Sequence, residues 1–329
     1  MRVALDAEPL TLTSGGLKRY VEELTTALRA SYPEDEYIYL PQPRTFLRRR
    51  WWLYGAERAS AHAHIDVFHG TNFAIPFFSH RPRVLTLHDL SPWRNPQWHR
   101  GQAAARIRRR TPYLLPLASH VITPSEAVRR EAIARFHLAP ERVTAIPLAA
   151  SPHFRPTPRE SDPYLLFVGT LEPRKGIATL LEAWRAGGRK IPLRLVGRTR
   201  EDFPPLSPEP NLRLLGEVPD SSLPALYTNA TAVVYPSEYE GFGLPVLEAM
   251  QCAANVITSC DPALLELTGD TAQHFSTPAE LAQLCVAPAN RPELRGAAQT
   301  RSANYSWQKT AHLTREIYVK LLGNRSKPQ

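Results

Sequence analysis

Residues 232–250 read AVVYPSEYEGFGLPVLEAM, and their order decides the fold. Four apolar residues ending at a proline match a short strand buried on both faces. A loop follows with glycines at 241 and 243, and Leu244-Pro245 opens a helix, where proline loses no hydrogen bond. Strand, glycine-bearing loop and helix in that order form half of a parallel βαβ unit.

The same alternation extends outward in both directions. Behind this stretch, YLLFVGT (164–170), LRLVG (193–197) and NLRLLG (211–216) read as strands, with a helix over Gly176–Arg185. In the first half, strands are expected at Val3–Asp6, Tyr37–Leu40, Val67–His69, Val84–His88, Val121–Thr123 and Val143–Ile146. A helix over Leu17–Ser31 brings Val21, Leu24 and Leu28 onto one face. Residues 149–163, AASPHFRPTPRESDP, are too rich in proline for a helix or central strand and read as a linker. The expected fold class is therefore α/β, with two Rossmann-like, doubly wound parallel-sheet domains over 1–155 and 156–305. Two such domains imply a cleft between them. Ser306–Leu322 reads as one amphipathic helix carrying Trp307, Ile317 and Leu321.

Composition bounds the function. The chain has 329 residues, 43% hydrophobic and 22% charged, which describes a globular protein rather than a disordered one. No apolar run reaches the roughly 18 residues needed to span a membrane. The start, MRVALDAEPL, turns acidic too early for a signal peptide. Cys252, Cys260 and Cys285 lack metal-ligand or redox spacing and read as buried, reduced thiols of a cytoplasmic protein. The net charge is +9 and unevenly placed: residues 1–160 hold 23 Lys and Arg against 14 Asp and Glu, residues 161–329 hold 17 against 17. The first half therefore suits an anionic partner.

The opening stretch also carries chemistry. Peptide N–H groups around Gly241, Phe242, Gly243 and Leu244, with the helix terminus behind them, make an anion site. Glu240 stands beside it and Glu248 lies further along the helix, both suited to accept hydrogen bonds from sugar hydroxyls. Phosphates in the middle and hydroxylated rings at both ends describe a nucleotide sugar. A second segment, VGTLEPRKGIATLLEAW (168–184), ends a strand at Gly169 and puts Arg174 and Lys175 at a helix start. Cations there oppose the helix dipole, so a diphosphate is their expected partner.

VGTLEPRKG and EYEGFGLPVLEAM together closely resemble retaining glycosyltransferases of family 4, which have the GT-B fold, and in particular the branch of bacterial mannosyltransferases. SGGLKRYVEEL (14–24), IDVFHGTNFAIP (65–76), LTLHDLSP (85–92) and ITPSEAVRREAI (122–133) extend the resemblance through the first half. It implies that Glu240 contacts the donor sugar, Glu248 the ribose, and Arg174 with Lys175 the diphosphate. Gly15 and Gly16 would close over the phosphates or the acceptor. His88 would approach the transferred sugar, and the last helix would return to the first domain. The sequence departs from the pattern after Met250, where Cys252-Ala253-Ala254-Asn255 replaces a Cys-Gly-Thr-Pro-like turn.

The resemblance implies retaining, front-face transfer of a hexose without a protein nucleophile, GDP-mannose being the favoured donor. No Asp-x-Asp is present, so no metal or other cofactor is expected, and Arg174 and Lys175 would stabilise the leaving diphosphate. Two basic stretches, FLRRRWWLYG (46–55, with Arg48, Arg49, Arg50 among Phe46, Trp51, Trp52, Tyr54) and RGQAAARIRRR (100–110), suit an anionic membrane surface presenting a glycan or lipid-linked acceptor. The expected place is cytoplasmic, peripheral at the inner face of the cell membrane. The alternatives are a same-fold sugar-nucleotide enzyme such as an epimerase, or a basic nucleic-acid-binding protein. For the latter no helix-turn-helix, zinc-finger or RNA-recognition signature is present.

Overall fold

The computed structural model describes every residue except 12–14, 41–49, 100, 160–162, 290 and 324–329. Its strands form two six-stranded sheets in which every pairing is parallel. The first sheet has the order β2-β1-β3-β4-β5-β6, from β1 (Arg2–Asp6), β2 (Glu36–Leu40), β3 (Val67–Gly70), β4 (Arg83–Thr86), β5 (His120–Thr123) and β6 (Val143–Ala145). The second has the order β12-β11-β10-β7-β8-β9. It is built from β7 (Leu165–Val168), β8 (Leu193–Val196), β9 (Leu212–Gly216), β10 (Ala232–Tyr235), β11 (Val256–Ser259) and β12 (Gln273–Phe275). Central strands are buried along their length, as β7 and β10 are at all four positions; helices on both sheet faces account for this. The order reverses between β1 and β3 in one sheet and between β7 and β10 in the other, the places where open α/β sheets bind ligands.

β11 and β12 are absent from the sequence reading. β12 is three residues long and carries Gln273 and His274 beside Phe275, which leaves no apolar run to detect. Conversely, β4 stops at Thr86, so His88 lies beyond the strand end instead of within it.

The chain divides into two compact units, Met1–Leu148 with Ser306–Gln329, and Ala149–Tyr305. The second begins earlier than the boundary at 155 read from the prolines. Phe154 packs against Tyr227 with ring centroids 6.1 Å apart, and Thr157 N donates to Thr228 Oγ1 at 3.2 Å. The proline-rich segment is thus laid onto the second unit.

The last helix, Trp307–Gly323, belongs to the first unit and packs along helix Gly16–Ser31. Arg315 anchors it: Nε reaches Asp35 Oδ2 at 2.7 Å, and the guanidinium lies 4.2 Å from the centre of the Tyr32 ring. Deeper in, the Tyr318 hydroxyl meets His69 Nδ1 at 2.6 Å, His69 Nε2 meets Thr86 Oγ1 at 2.7 Å, and Thr86 Oγ1 meets the Tyr20 hydroxyl at 2.9 Å. Burial drives His69 down to about 3, with the neighbouring His88 adding to the effect, so the imidazole is neutral in this chain. Buried polar groups on four elements are satisfied by one another.

Trp51–Gly55 forms a π-helical turn leading into helix Ala56–His62. Phe46, Arg48 and Arg49, like Arg100, lie outside the described residues. Cys252 and Cys285 are buried as expected, but Cys260 is exposed at the end of β11. Among the described residues no helix is long and apolar enough to cross a membrane.

Candidate active site

The loop after β10 is held from two sides. From the β7 side, Glu238 N donates to Arg174 O at 2.9 Å, and Arg174 Nη1 donates to Tyr239 O at 3.1 Å. From the β11 side, Ser259 Oγ donates to Ser237 O at 2.6 Å, and Glu240 N donates to Asp261 Oδ2 at 3.3 Å. Glu240 is therefore fixed over the switch point between β7 and β10.

Its carboxylate is 6% exposed and meets both cations predicted for this place. Lys175 Nζ donates to Glu240 Oε1 at 2.5 Å, and Arg174 Nη1 to Oε2 at 3.3 Å. Lys175 also reaches the Tyr235 hydroxyl at 3.1 Å, and Tyr235 stacks on Phe167. Glu172 bridges Arg174 Nε at 2.7 Å and Arg200 Nη1 at 2.8 Å, and Arg200 pairs with Asp202. Among the described residues, Arg174, Lys175 and Arg200 thus balance Glu172, Asp202 and Glu240 in one linked network. Burial raises the Glu240 carboxyl, but Lys175 and Arg174 outweigh it and hold the group below the usual carboxylate range. Burial also draws the Lys175 ammonium down, with Glu240 opposing. The short contact and the second cation keep the pair ionic.

Asp261 is the other buried carboxylate. Its Oδ1 accepts from Ala263 N at 3.0 Å and Leu264 N at 3.2 Å, capping helix Pro262–Thr268. Burial, and then the charge of Glu240, push its carboxyl up to about 6.

Gly169 ends β7, and Gly241, Phe242 and Gly243 are buried in the loop after β10. Helix Leu244–Gln251 starts at Gly243 with no side-chain cap hydrogen bond, so its first N–H groups have only the backbone, solvent or a ligand to serve. Glu248, 2% exposed, lies within that helix and accepts from the Tyr227 hydroxyl at 2.9 Å. The helix ends with Ala254 N on Ala249 O at 3.0 Å and Ala253 at φ 49°. An alanine holds the left-handed turn there, at about 1 kcal/mol against glycine.

Gly15, Gly16 and His88 belong to the first unit. Gly15 precedes helix Gly16–Ser31 with open space around its α-carbon. His88 Nε2 lies 2.7 Å from Thr71 O, beyond β3. A carbonyl can only accept, so Nε2 carries the proton and Nδ1 is the acceptor. Burial lowers the imidazole against the opposing Thr71 bond and Asp89, and His88 is neutral at pH 7. The Tyr20 ring sits edge-on to it with centroids 4.9 Å apart.

A family model described as Glycosyltransferase Family 4 matches residues 14–153, and one described as Glycosyl transferases group 1 matches residues 151–287. The chain belongs to glycosyltransferase family 4. This family 4 chain is 35% identical over 235 residues to an O-antigen chain mannosyltransferase B of Escherichia coli, covering 62% of the chain and 59% of that relative. It is 25% identical to an MMP alpha-(1->4)-mannosyltransferase of Mycolicibacterium hassiacum, covering 92% of the chain and 79% of the relative. Anabaena HepE, solved in complex with UDP-glucose, has the same fold: TM-score 0.75 at 17% identity, over 97% of this chain and 100% of that one. The fold is GT-B.

Sequence reasoning singled out Glu240, Arg174 and Lys175 but missed Glu172, Tyr235, Arg200 and Asp261. Asp261 alone left a signal: Asp followed by Pro is a helix start.

Proposed function

We propose that this chain transfers a hexose, retaining its anomeric configuration, from a nucleoside-diphosphate sugar to a glycan or lipid-linked acceptor, without a metal ion. The observation that carries this reading is Glu240, buried over the β7/β10 switch point and locked by Lys175 and Arg174. A carboxylate held ionised by two cations is a preorganised acceptor for hydroxyls of the donor sugar. The network is neutral at rest, so net charge does not draw the diphosphate in. The uncapped terminus of helix Leu244–Gln251 supplies that attraction, and Arg174 and Lys175 then stabilise charge as it develops on the leaving phosphate. Glu248 serves the ribose. Neutral His88 offers Nδ1 to a sugar hydroxyl, while Gly15 and Gly16 let backbone come close to phosphate or acceptor. Similarity to the mannosyltransferases favours GDP-mannose.

Thermal shifts against nucleoside diphosphates and their sugars test this reading. Bound at 100 times its Kd, the right donor adds about 2.7 kcal/mol to stability. Transfer should persist in EDTA. If GDP-mannose, UDP-glucose and dTDP-rhamnose all leave the melting temperature unmoved, the reading is wrong.

We propose further that the first unit meets its acceptor at an anionic membrane surface. Tyr54 and Phe78 are 58% and 50% exposed, stacked 5.4 Å apart, beside Leu53 and exposed Arg50 and Arg58. Helix Gln102–Leu114 adds exposed Arg106, Arg109 and Tyr113 without one acidic residue. Each arginine near such a surface contributes about 1 kcal/mol. Replacing Arg50, Arg58, Arg106 and Arg109 by Glu should abolish cosedimentation with anionic vesicles at low salt. Equal pelleting of wild type and variant would rule out this surface.

A further inference from the structure

Asp261 joins two features that a helix cap alone does not require. It is 6% exposed, and its two oxygens face different elements. Oδ1 accepts from the Ala263 and Leu264 N–H groups, whereas Oδ2 accepts from the backbone N–H of Glu240 at 3.3 Å. Helix N-caps need only the first. The same β11 loop grips the β10 loop a second time, through Ser259 Oγ on Ser237 O. Placing a second buried carboxylate against Glu240 carries a like-charge cost, which a simple Ser or Asn cap would avoid.

We infer that Asp261 is a positioning residue for Glu240, fixing the backbone of the carboxylate that meets the donor sugar. This rests on the reaction proposed above. The charged group facing Asp261 is Glu240, itself held by Lys175 and Arg174; on its own helix Glu266 is exposed. With the Asp261 carboxyl raised to about 6, Oδ2 is a full acceptor above that pH. It loses this capacity as pH falls through it. Donor-sugar kcat/KM should therefore decline on the acid side with an apparent pKa near 6, while Glu240 stays ionised.

Asp261→Asn keeps an oxygen for the helix and turns an amide N–H toward Glu240 N, donor against donor. Asp261→Ser keeps the cap and is too short to reach Glu240. Both should retain near wild-type melting temperature and unchanged affinity for the nucleoside diphosphate alone. Both should lose about tenfold in kcat/KM for the nucleotide sugar, together with the acid limb. Amide hydrogen exchange over residues 237–243 gives a readout independent of turnover, and should quicken about tenfold in both variants. Quickened exchange in a chain that turns over no sugar nucleotide would uphold the positioning role and reject the reaction. Unchanged exchange with an intact acid limb in Asp261→Asn would overturn the inference.

Discussion

Glu240→Ala is expected to remove transfer almost entirely and to destabilise the second unit. The carboxylate is 6% exposed and balances Lys175 at 2.5 Å and Arg174 at 3.3 Å. Its loss leaves a buried ammonium without its partner, the kind of break that costs about 3–5 kcal/mol. Turnover should fall by two to three orders of magnitude, roughly what one preorganised polar group supplies in an enclosed site. The folded carboxyl ionises below its ordinary value. The pair's contribution is thus complete above the unfolded pKa and lost only as pH drops through the lower, folded one. At neutral pH the variant therefore shows the full deficit, and toward strong acid the gap from wild type closes. Glu240→Gln keeps the shape and an acceptor oxygen, and should recover part of the stability with little of the rate. Unfolding curves and initial rates on the same preparations separate the two effects. Wild-type turnover by Glu240→Ala would remove the proposed role of this residue.

Gly197→Ala should cause a large loss of stability from a single methyl group. Gly197 follows β8 at φ 129°, and a β-carbon built on it would lie 2.1 Å from Gly169 O, a backbone atom that cannot turn away. The cost combines overpacking with an unfavourable φ, roughly 3 kcal/mol in all, or about 10 °C in melting temperature. The damage reaches the site, because the same loop pairs Leu171 with Thr199 and donates Arg200 N to Leu171 O at 3.1 Å. Nucleotide-induced thermal shifts should shrink along with the melting temperature. Gly188→Ala is the control: its φ is 77°, but nothing lies within 4 Å of the added carbon. A Gly197→Ala melting temperature equal to that of Gly188→Ala would refute the close approach.

How far the sequence foretold this depends on range. The β7 and β10 strands, their glycine-bearing loops and the helix at Leu244 were legible because each is written in consecutive residues. The edge strand β12 was not, since its pairing to β11 is what makes QHF a strand. The helix at the end of the chain showed its apolar face, although Leu321 on that face is only half-buried. In the site, the residue types were legible and their pairing was not. Arg174 and Lys175 read as cations awaiting a diphosphate, whereas the fold gives them Glu240, more than sixty positions away, and Glu172. No local pattern encodes a contact of that separation. Asp261 shows the same limit: its cap was written in the adjacent proline, its second bond only in the fold.

The first unit is made of two pieces of chain, separated by the whole of Ala149–Tyr305. During synthesis, β1–β6 leave the ribosome long before helix Trp307–Gly323, yet that helix supplies Tyr318 to His69 Nδ1 and Arg315 to Asp35 Oδ2. The contiguous unit can complete itself first, while the earlier-made one waits with His69 Nδ1 unbonded and the groove for that helix still open. Emergence of that helix, rather than of the first half of the chain, is the event that lets β1–β6 settle.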